Sequence, residues 1–115
     1  MKKSILDELA SSSEVSWCCI VGIDGFLREI SGAPSKYLES VAALAPTLFE
    51  TSSKSASTYS IGEPARVTIE TKSGTLMFSN LGDGEFLALS TQASANLGLA
   101  RGASEVAVNA LMSLK

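Results

Sequence analysis

The sequence predicts an α+β fold, a five-stranded antiparallel sheet with helices on both faces, in the order α-β-β-α-β-β-β-α. Three observations predict it. An apolar run ending in Asp24-Gly25 is typical of a strand that enters a tight hairpin. Two further glycine-containing turns, 72–74 and 82–84, separate three strand-like segments. Apolar residues recur at helical spacing before, between and after the strands. At 115 residues, the chain is expected to form a single domain, residues 1–115.

The first helix and the first two strands follow from local patterns. Ser4 and Asp7 resemble a capping box, and apolar residues then recur at helical spacing: Ile5, Leu6, Leu9 and Ala10. Residues 15–23 are apolar on both faces of a strand, which is typical of a strand covered on both sides, and residues 26–30 are expected to return as its hairpin partner. Cys18 and Cys19 are neighbours, so their side chains should point to opposite faces as unbridged, buried thiols.

The second helical segment, residues 36–49, follows Pro34 and Ser35 and has an unusually broad apolar surface. On a helical wheel its apolar residues fill an arc of roughly 160°, whereas a helix on one sheet needs about 100°; they are Tyr37, Leu38, Val41, Ala42, Leu44, Ala45, Leu48 and Phe49. The excess indicates either a second neighbour or a helix sunk deeply into its own domain. Pro46 predicts a kink near residues 42–46. Residues 51–60, rich in Ser, Thr and Lys, are expected to form a polar loop.

The last three strands form a predicted meander. Residues 65–71 alternate, which is typical of a half-exposed strand: Ala65, Val67, Ile69 and Thr71 share one face, and Arg66, Thr68 and Glu70 share the other. Residues 75–81 and 85–91 complete the meander. Asn96 is expected to cap a final helix that ends near residue 114. Its predicted inner face consists of mostly small residues: Ala100, Ala103, Val106, Ala107, Ala110, Leu111 and Leu114.

Composition argues against several classes of function. The net charge is −3 and the basic residues are scattered, so nucleic-acid binding is not expected. No apolar run is long enough to span a membrane, and a cytoplasmic location is expected. The chain has no histidine and no P-loop motif, so no Ser-His or Cys-His pair, zinc site or nucleotide cofactor is expected. Asp24 and Asp83 adjoin glycines and are interpreted as turn residues, so neither a catalytic residue nor a metal ligand is assigned.

Four features together resemble the roadblock/dynein light chain family. They are the apolar strand and hairpin of residues 20–25, the helix of residues 36–50, the glycine-punctuated meander through Leu89, and the helix entry of residues 96–101, which is similar to bacterial and archaeal members. The resemblance covers nearly the whole chain, as one roadblock-like domain, and rests on the order and spacing of these features. It implies a non-enzymatic domain that acts by binding other proteins.

The resemblance also implies a homodimer in which the long helices lie side by side and the strands of residues 65–71 pair into a ten-stranded sheet. The expected interface residues lie on that helix and strand: Leu44, Thr47, Leu48, Arg66, Val67, Thr68, Ile69 and Glu70. The residues themselves favour the same view, because the helix has a surplus of apolar surface and the strand would otherwise be an open edge. Arg66 and Glu70 either pair across the two-fold axis or remain solvated. An identical or a sibling partner chain is equally compatible.

For prokaryotic members, the resemblance implies binding to a Ras-like small GTPase and modulation of its nucleotide cycle. The implied docking surface is the outer side of the paired helices: Lys36, Glu39, Ala43, Glu50 and Lys54, while Ser40 and Thr47 face either the twin helix or the partner. None of the arginines, Arg28, Arg66 and Arg101, lies on that helix, so assistance without an arginine finger is expected. The alternatives are a passive scaffold or light-chain subunit of a larger assembly, and a small-ligand sensor.

Overall fold

The computed structural model describes residues 1–33 and 36–115, which include a five-stranded antiparallel sheet. Its strands are β1 (Trp17–Gly22), β2 (Leu27–Gly32), β3 (Arg66–Thr71), β4 (Gly74–Gly82) and β5 (Glu85–Gln92). They lie in the order β2-β1-β5-β4-β3. The predicted fold class and element order are therefore confirmed. Pro34 and Ser35, which precede the second helical segment in the sequence pattern, lie outside the described residues.

The hairpin between β1 and β2 forms where Asp24-Gly25 predicts it. Gly25 has a φ of 82°, and the Phe26 amide donates a hydrogen bond to the Asp24 carboxylate at 3.0 Å. The Arg28 guanidinium lies 2.8 Å from the same carboxylate and holds the pKa of Asp24 below its usual value. Side-chain and backbone bonds thus fix the turn that carries Phe26.

The sheet is covered by helices on both faces, which divides the core in two. On one face, α1 (Lys2–Ala10) and α4 (Leu97–Met112) cover a core that includes Leu6, Ile20, Met77, Leu89 and Leu111. On the other face, α2 (Leu38–Ala43) and α3 (Ala45–Thr58) cover a core that includes Trp17, Val21, Phe49, Phe78 and Phe86. The rings of Phe49 and Phe86 stack with centroids 4.8 Å apart. Burial of these apolar side chains is the main favourable contribution to folding.

Cys18 and Cys19 belong to different halves of the core, as their alternation in β1 predicts. Both are free and buried. Burial raises the pKa of Cys18 to about 11 and that of Cys19 to about 12, so both thiols are neutral at physiological pH. The Cys18 thiol donates a hydrogen bond to the Leu6 carbonyl at 3.3 Å. Both cysteines therefore act as small apolar core residues.

The second predicted helix differs from expectation in its middle and at its C-terminal end. It is divided at Leu44 into α2 and α3, and the kink predicted for residues 42–46 is this break. Pro46 lies in the first turn of α3, where its missing amide hydrogen breaks no helical bond. The prediction of a polar loop over residues 51–60 was wrong, because α3 continues to Thr58. Phe49 anchors the helix in the core, and tertiary packing outweighs the weak helix propensity of Ser and Thr.

A Schellman motif ends α3. The Ile61 amide donates to the Ala56 carbonyl at 3.1 Å, and the Ser60 amide donates to the Ser57 carbonyl at 3.0 Å. Ser60 takes the left-handed conformation, with a φ of 60°, at the position that glycine usually occupies. The chain then turns towards β3.

The two helices of the opposite face also differ in detail from the predictions. α1 begins at Lys2, and the capping box was wrong: the Ser4 hydroxyl donates to the Met1 carbonyl, while Asp7 accepts from the Ser31 hydroxyl at 2.5 Å. Asn96 caps α4 as predicted, since its side chain accepts from the Leu99 amide at 3.1 Å. The predicted inner face of α4 was wrong in part. Val106 and Leu114 are exposed, and the buried residues are Ala100, Ser104, Ala107 and Leu111.

Candidate dimerisation and docking surfaces

Strand β3 is an edge of the sheet. It pairs with β4 along its whole length, with Val67 opposite Phe78 and Ile69 opposite Leu76. β4 pairs with β5 on its other side, and β3 ends the sheet. Val67 packs against the core under α2 and α3, whereas Thr68, Ile69 and Glu70 are exposed. The position required for pairing with a second copy is therefore available.

The break between α2 and α3 exposes apolar surface on the same side of the sheet as Val67. Leu44 at the break is 56% exposed, Thr47 is exposed, and Leu48 is half-buried against the core. α3 packs against β3, and Leu48 packs against the same core as Val67. Of the predicted apolar arc, Tyr37 and Leu44 are exposed, whereas the other members are buried or half-buried in their own domain. The structure therefore supports each of the two alternatives in part.

Two further exposed apolar residues, at the opposite end of α3, were missed by the sequence analysis. Tyr59 and Ile61 follow the end of α3 and are both highly exposed. Tyr59 was assigned no role because residues 51–60 were interpreted as a polar loop, and Ile61 directly follows that segment. The available signal was the pair of large apolar side chains at the end of a segment that is otherwise composed of small polar residues.

Arg66 points to the opposite face of the sheet and already has a partner. Its guanidinium lies 3.1 Å from the carboxylate of Glu105 on α4, and only 22% of its side chain is exposed. Arg66 is therefore not a solvated edge charge, although Glu70 is exposed. Pairing of Arg66 with Glu70 of another subunit stays a prediction.

The predicted docking residues Lys36, Glu39, Ala43, Glu50 and Lys54 are all exposed, but they occupy two places. Glu39 and Ala43 lie on α2, beside a concavity of about 350 Å³ that they share with Gly25, Phe26 and Leu27. Glu50 and Lys54 lie on α3, where Lys54 Nζ is 3.7 Å from Glu50 Oε1. Lys36 precedes α2, with its ammonium 5.1 Å from the centre of the Tyr37 ring. Division of the helix at Leu44 separates the two groups.

The β1–β2 hairpin adds apolar side chains to the α2 surface. Ile23 and Phe26 are 69% and 70% exposed, and the hairpin tip contacts α2 so closely that a Cβ on Gly25 would lie 3.5 Å from the Ala43 Cα. The sequence analysis assigned both residues to strands and missed this surface. The signal was an apolar residue on each side of Asp24-Gly25, beyond the paired part of the hairpin.

The arrangement provides surfaces for binding proteins. Within residues 1–33 and 36–115, no group of Cys, Asp and Glu side chains is placed to hold a metal ion. In the same part of the chain, no helix is long and apolar enough to cross a membrane. The described residues thus combine an edge strand, exposed apolar side chains and a hairpin beside a concavity in one small α+β fold.

The chain belongs to the Roadblock/LC7 domain family, whose model matches residues 1–91. The resemblance seen in the sequence is thereby confirmed. The match ends before α4, which begins at Leu97. Among curated proteins, none matches the chain with significance.

Solved structures share the fold at low sequence identity. MglB from Myxococcus xanthus superposes with a TM-score of 0.89 at 18% identity, covering 98% of this chain and 93% of that one. The gliding protein MglB from Thermus thermophilus gives 0.89 at 16% identity, covering 97% and 86%. A Roadblock/LC7 domain from Streptomyces avermitilis gives 0.85 at 18% identity, covering 97% and 95%. At these identities the likeness establishes the fold.

Proposed function

We propose that this chain is a non-enzymatic, cytoplasmic adaptor that forms a homodimer through α3 and β3 and, as a dimer, binds a Ras-like small GTPase and modulates its nucleotide cycle. The observation that carries the proposal is the open β3 edge, flanked on one side of the sheet by exposed apolar residues of the helix break and of β3 itself. Membership of the Roadblock/LC7 family supports it.

Pairing of β3 with a second β3 would stabilise the dimer in two ways. It would satisfy the backbone donors and acceptors of the edge, which otherwise depend on water. It would also remove Leu44 and the 37% exposed Ile69 from solvent. Both residues lie on the side of the sheet covered by α2 and α3, so strand pairing and helix packing would bury one continuous region.

The docking step relies on surface that such a dimer leaves free. The concavity between α2 and the hairpin combines the exposed aromatic ring of Phe26 with the carboxylate of Glu39. An apolar centre with a charged rim is typical of non-obligate protein interfaces. Arg28 is paired with Asp24 and Arg66 with Glu105, and Arg101 lies on α4. An effect on GTP hydrolysis is therefore expected to come from positioning of the GTPase's own catalytic groups.

The dimer is tested by size-exclusion chromatography with light scattering on the purified chain at micromolar concentration. The expected result is twice the monomer mass. A monomer across this concentration range would contradict the homodimer, and a monomer that becomes a dimer only with a sibling chain would replace it with a heterodimer.

GTPase binding is tested with each Ras-like GTPase of the source cell, by measuring binding and single-turnover GTP hydrolysis with and without the chain. Ala43→Asp is expected to weaken binding at least about fivefold, because it adds a charge beside Gly25. The matched control is Ala93→Asp at the other end of the sheet, next to Gln92, which pairs with Gly74. Binding without any change in the nucleotide cycle would favour the passive scaffold. Absence of binding to all of them would overturn the GTPase assignment.

The expectation of no arginine finger is tested by changing Arg28, Arg66 and Arg101 singly to alanine. Hydrolysis in the complex is expected to fall by less than about threefold for each, against losses of about a thousandfold or more when an arginine finger is removed. A loss on the larger scale with binding intact would contradict the positioning mechanism.

A further inference from the structure

Helices α1 and α4 leave a groove of about 300 Å³ between them. They run antiparallel, and charged contacts fix both ends of the pair. At one end, Lys2 and Lys115 lie 3.1 and 3.2 Å from the Glu85 carboxylate. At the other end, the Asn96 amide donates to the Glu14 carboxylate. These contacts link the two helices at both ends of the groove.

The groove is lined mostly by apolar residues. Its apolar lining residues come from both helices: Ile5, Leu9, Ala103, Val106, Ala107 and Ala110. Val106 is 69% exposed although it lies in the middle of α4. Leu99, which is also exposed, lies seven residues earlier and continues the same stripe towards the start of α4. The alanines would allow a third helix to approach α4 closely.

Glu8 is the charged residue among those that line the groove. Nearby carboxylates are engaged: Asp7 by Ser31 and Lys3, Glu14 by the Asn96 amide, and Glu105 by Arg66. Within the described part of the chain, the Glu8 carboxylate has no such partner. Covering it with an apolar or acidic segment would cost free energy, whereas a basic side chain would compensate its charge.

We propose that this groove binds an amphipathic helix of a partner protein, with apolar side chains against Val106 and the alanines and a lysine or arginine beside Glu8. A helix fits better than a strand, because the groove is bounded by two helices and offers no strand edge for backbone pairing. The groove lies on the α1 and α4 side of the sheet, so dimerisation through α3 and β3 would leave one free in each subunit. The site is therefore independent of the proposed GTPase function.

The test uses fluorescence anisotropy with two labelled 18-residue helical peptides that share one leucine stripe, with lysines on the polar face of one and glutamates on that of the other. The wild-type chain is expected to bind the basic peptide and not the acidic one. Val106→Gln should weaken this binding about five- to tenfold through lost apolar contact. Glu8→Gln should weaken it about two- to fivefold, and Glu8→Lys should shift the preference to the acidic peptide.

Both positions tolerate polar residues, since Val106 and Glu8 are exposed, and thermal melts verify that each variant is folded. Lys72→Ala, an exposed residue in the turn between β3 and β4, is the control and should leave peptide binding unchanged. Equal affinity of wild type and Val106→Gln, or an unchanged charge preference in Glu8→Lys, would overturn the proposal.

The natural occupant is tested by a photo-crosslinking amino acid at position 106 of the intact chain in the source cell, with the crosslinked segment mapped by mass spectrometry. A partner segment with helical apolar spacing and an adjacent lysine or arginine supports the proposal. A segment of this chain itself, an acidic segment, or no crosslink overturns it. Ile69→Lys, which targets the dimer, should leave the crosslink in place. The experiment therefore distinguishes failure of the groove proposal from failure of the dimer proposal.

Discussion

The two edges of the sheet differ in how they are protected. At the β2 edge, α1 packs over the strand, the Lys3 ammonium donates to the Ile30 carbonyl, and a register shift interrupts the pairing with β1 at Ile20 and Val21. At the β3 edge, the register with β4 is unbroken from Arg66 to Thr71. Among the described residues, no side chain forms a hydrogen bond to the backbone of residues 66–70.

Lysines, bulges and covering helices are the devices by which folded proteins prevent unwanted pairing at sheet edges. At β2 all three are present. At β3 the helix α3 packs against one face of the strand, but the register is uninterrupted and Ile69 is exposed. The lower protection of the β3 edge is informative because the other edge of the same sheet is protected. The β2 edge has features that oppose pairing, and the β3 edge keeps the uninterrupted register that the proposed dimer requires.

The largest effect is expected from a change in the core of α3, the helix that packs against β3. Phe49→Ala removes a buried ring that stacks on Phe86 at 4.8 Å, and it is expected to lower the free energy of unfolding by about 3–5 kcal/mol. Urea denaturation followed by circular dichroism measures the change. Thr47→Ala, at an exposed position of the same helix, is the control and should change stability by less than about 0.5 kcal/mol. A small effect of Phe49→Ala would show that α3 contributes little to the core.

The next effect tests the β3 edge directly. Ile69→Lys places a charge on the exposed strand and is expected to raise the dimer dissociation constant about tenfold to a hundredfold. Sedimentation equilibrium measures it. Glu29→Gln on β2 changes the net charge by the same amount and should leave the constant unchanged. If the two variants behaved alike, the assignment of different roles to the edges would be wrong.

A smaller effect is expected at the end of α3. Ser60→Gly is expected to raise the free energy of unfolding by about 0.5 kcal/mol, because glycine adopts the left-handed conformation of this position without a Cβ penalty. The matched change Ser57→Gly, inside the helix, should lower it by a similar amount. Thermal melts of both variants measure these two changes in stability. If Ser60→Gly did not stabilise the chain, the Schellman assignment would be contradicted.

The smallest effect concerns the protected edge. Lys3→Ala removes the donor to the Ile30 carbonyl and the contact with Asp7 at 3.3 Å. Because these groups are exposed, self-association is expected to increase less than about twofold, measured by light scattering against concentration. Lys72→Ala, an exposed lysine outside both edges, is the control. A large increase in the Lys3 variant alone would show that β2 is restrained mainly by this one side chain.

Much of the fold was predictable because its signals are local. Asp24-Gly25 predicted the hairpin, Asn96 predicted the start of α4, and the alternation over residues 65–71 predicted a half-exposed strand. The predicted surfaces were only partly correct. Leu44 and Thr47 are exposed as a contact surface requires, but Glu39 and Glu50 lie on separate helices, and Phe26 and Tyr59 were missed. Their exposure depends on where neighbouring elements end, and no local pattern contains that information.

Turn chemistry and hydrophobic periodicity depend on residues within a few positions of one another. The amino-acid sequence alone therefore determined the type and the order of the helices and strands. The rotation of α4, which buries Ser104 and exposes Val106, and the continuation of α3 to Thr58 were decided by tertiary packing. A helix turns its apolar side towards whichever neighbours fill the space best, and those neighbours are distant in the chain. The same packing left β3 at one edge of the sheet and formed the groove between α1 and α4.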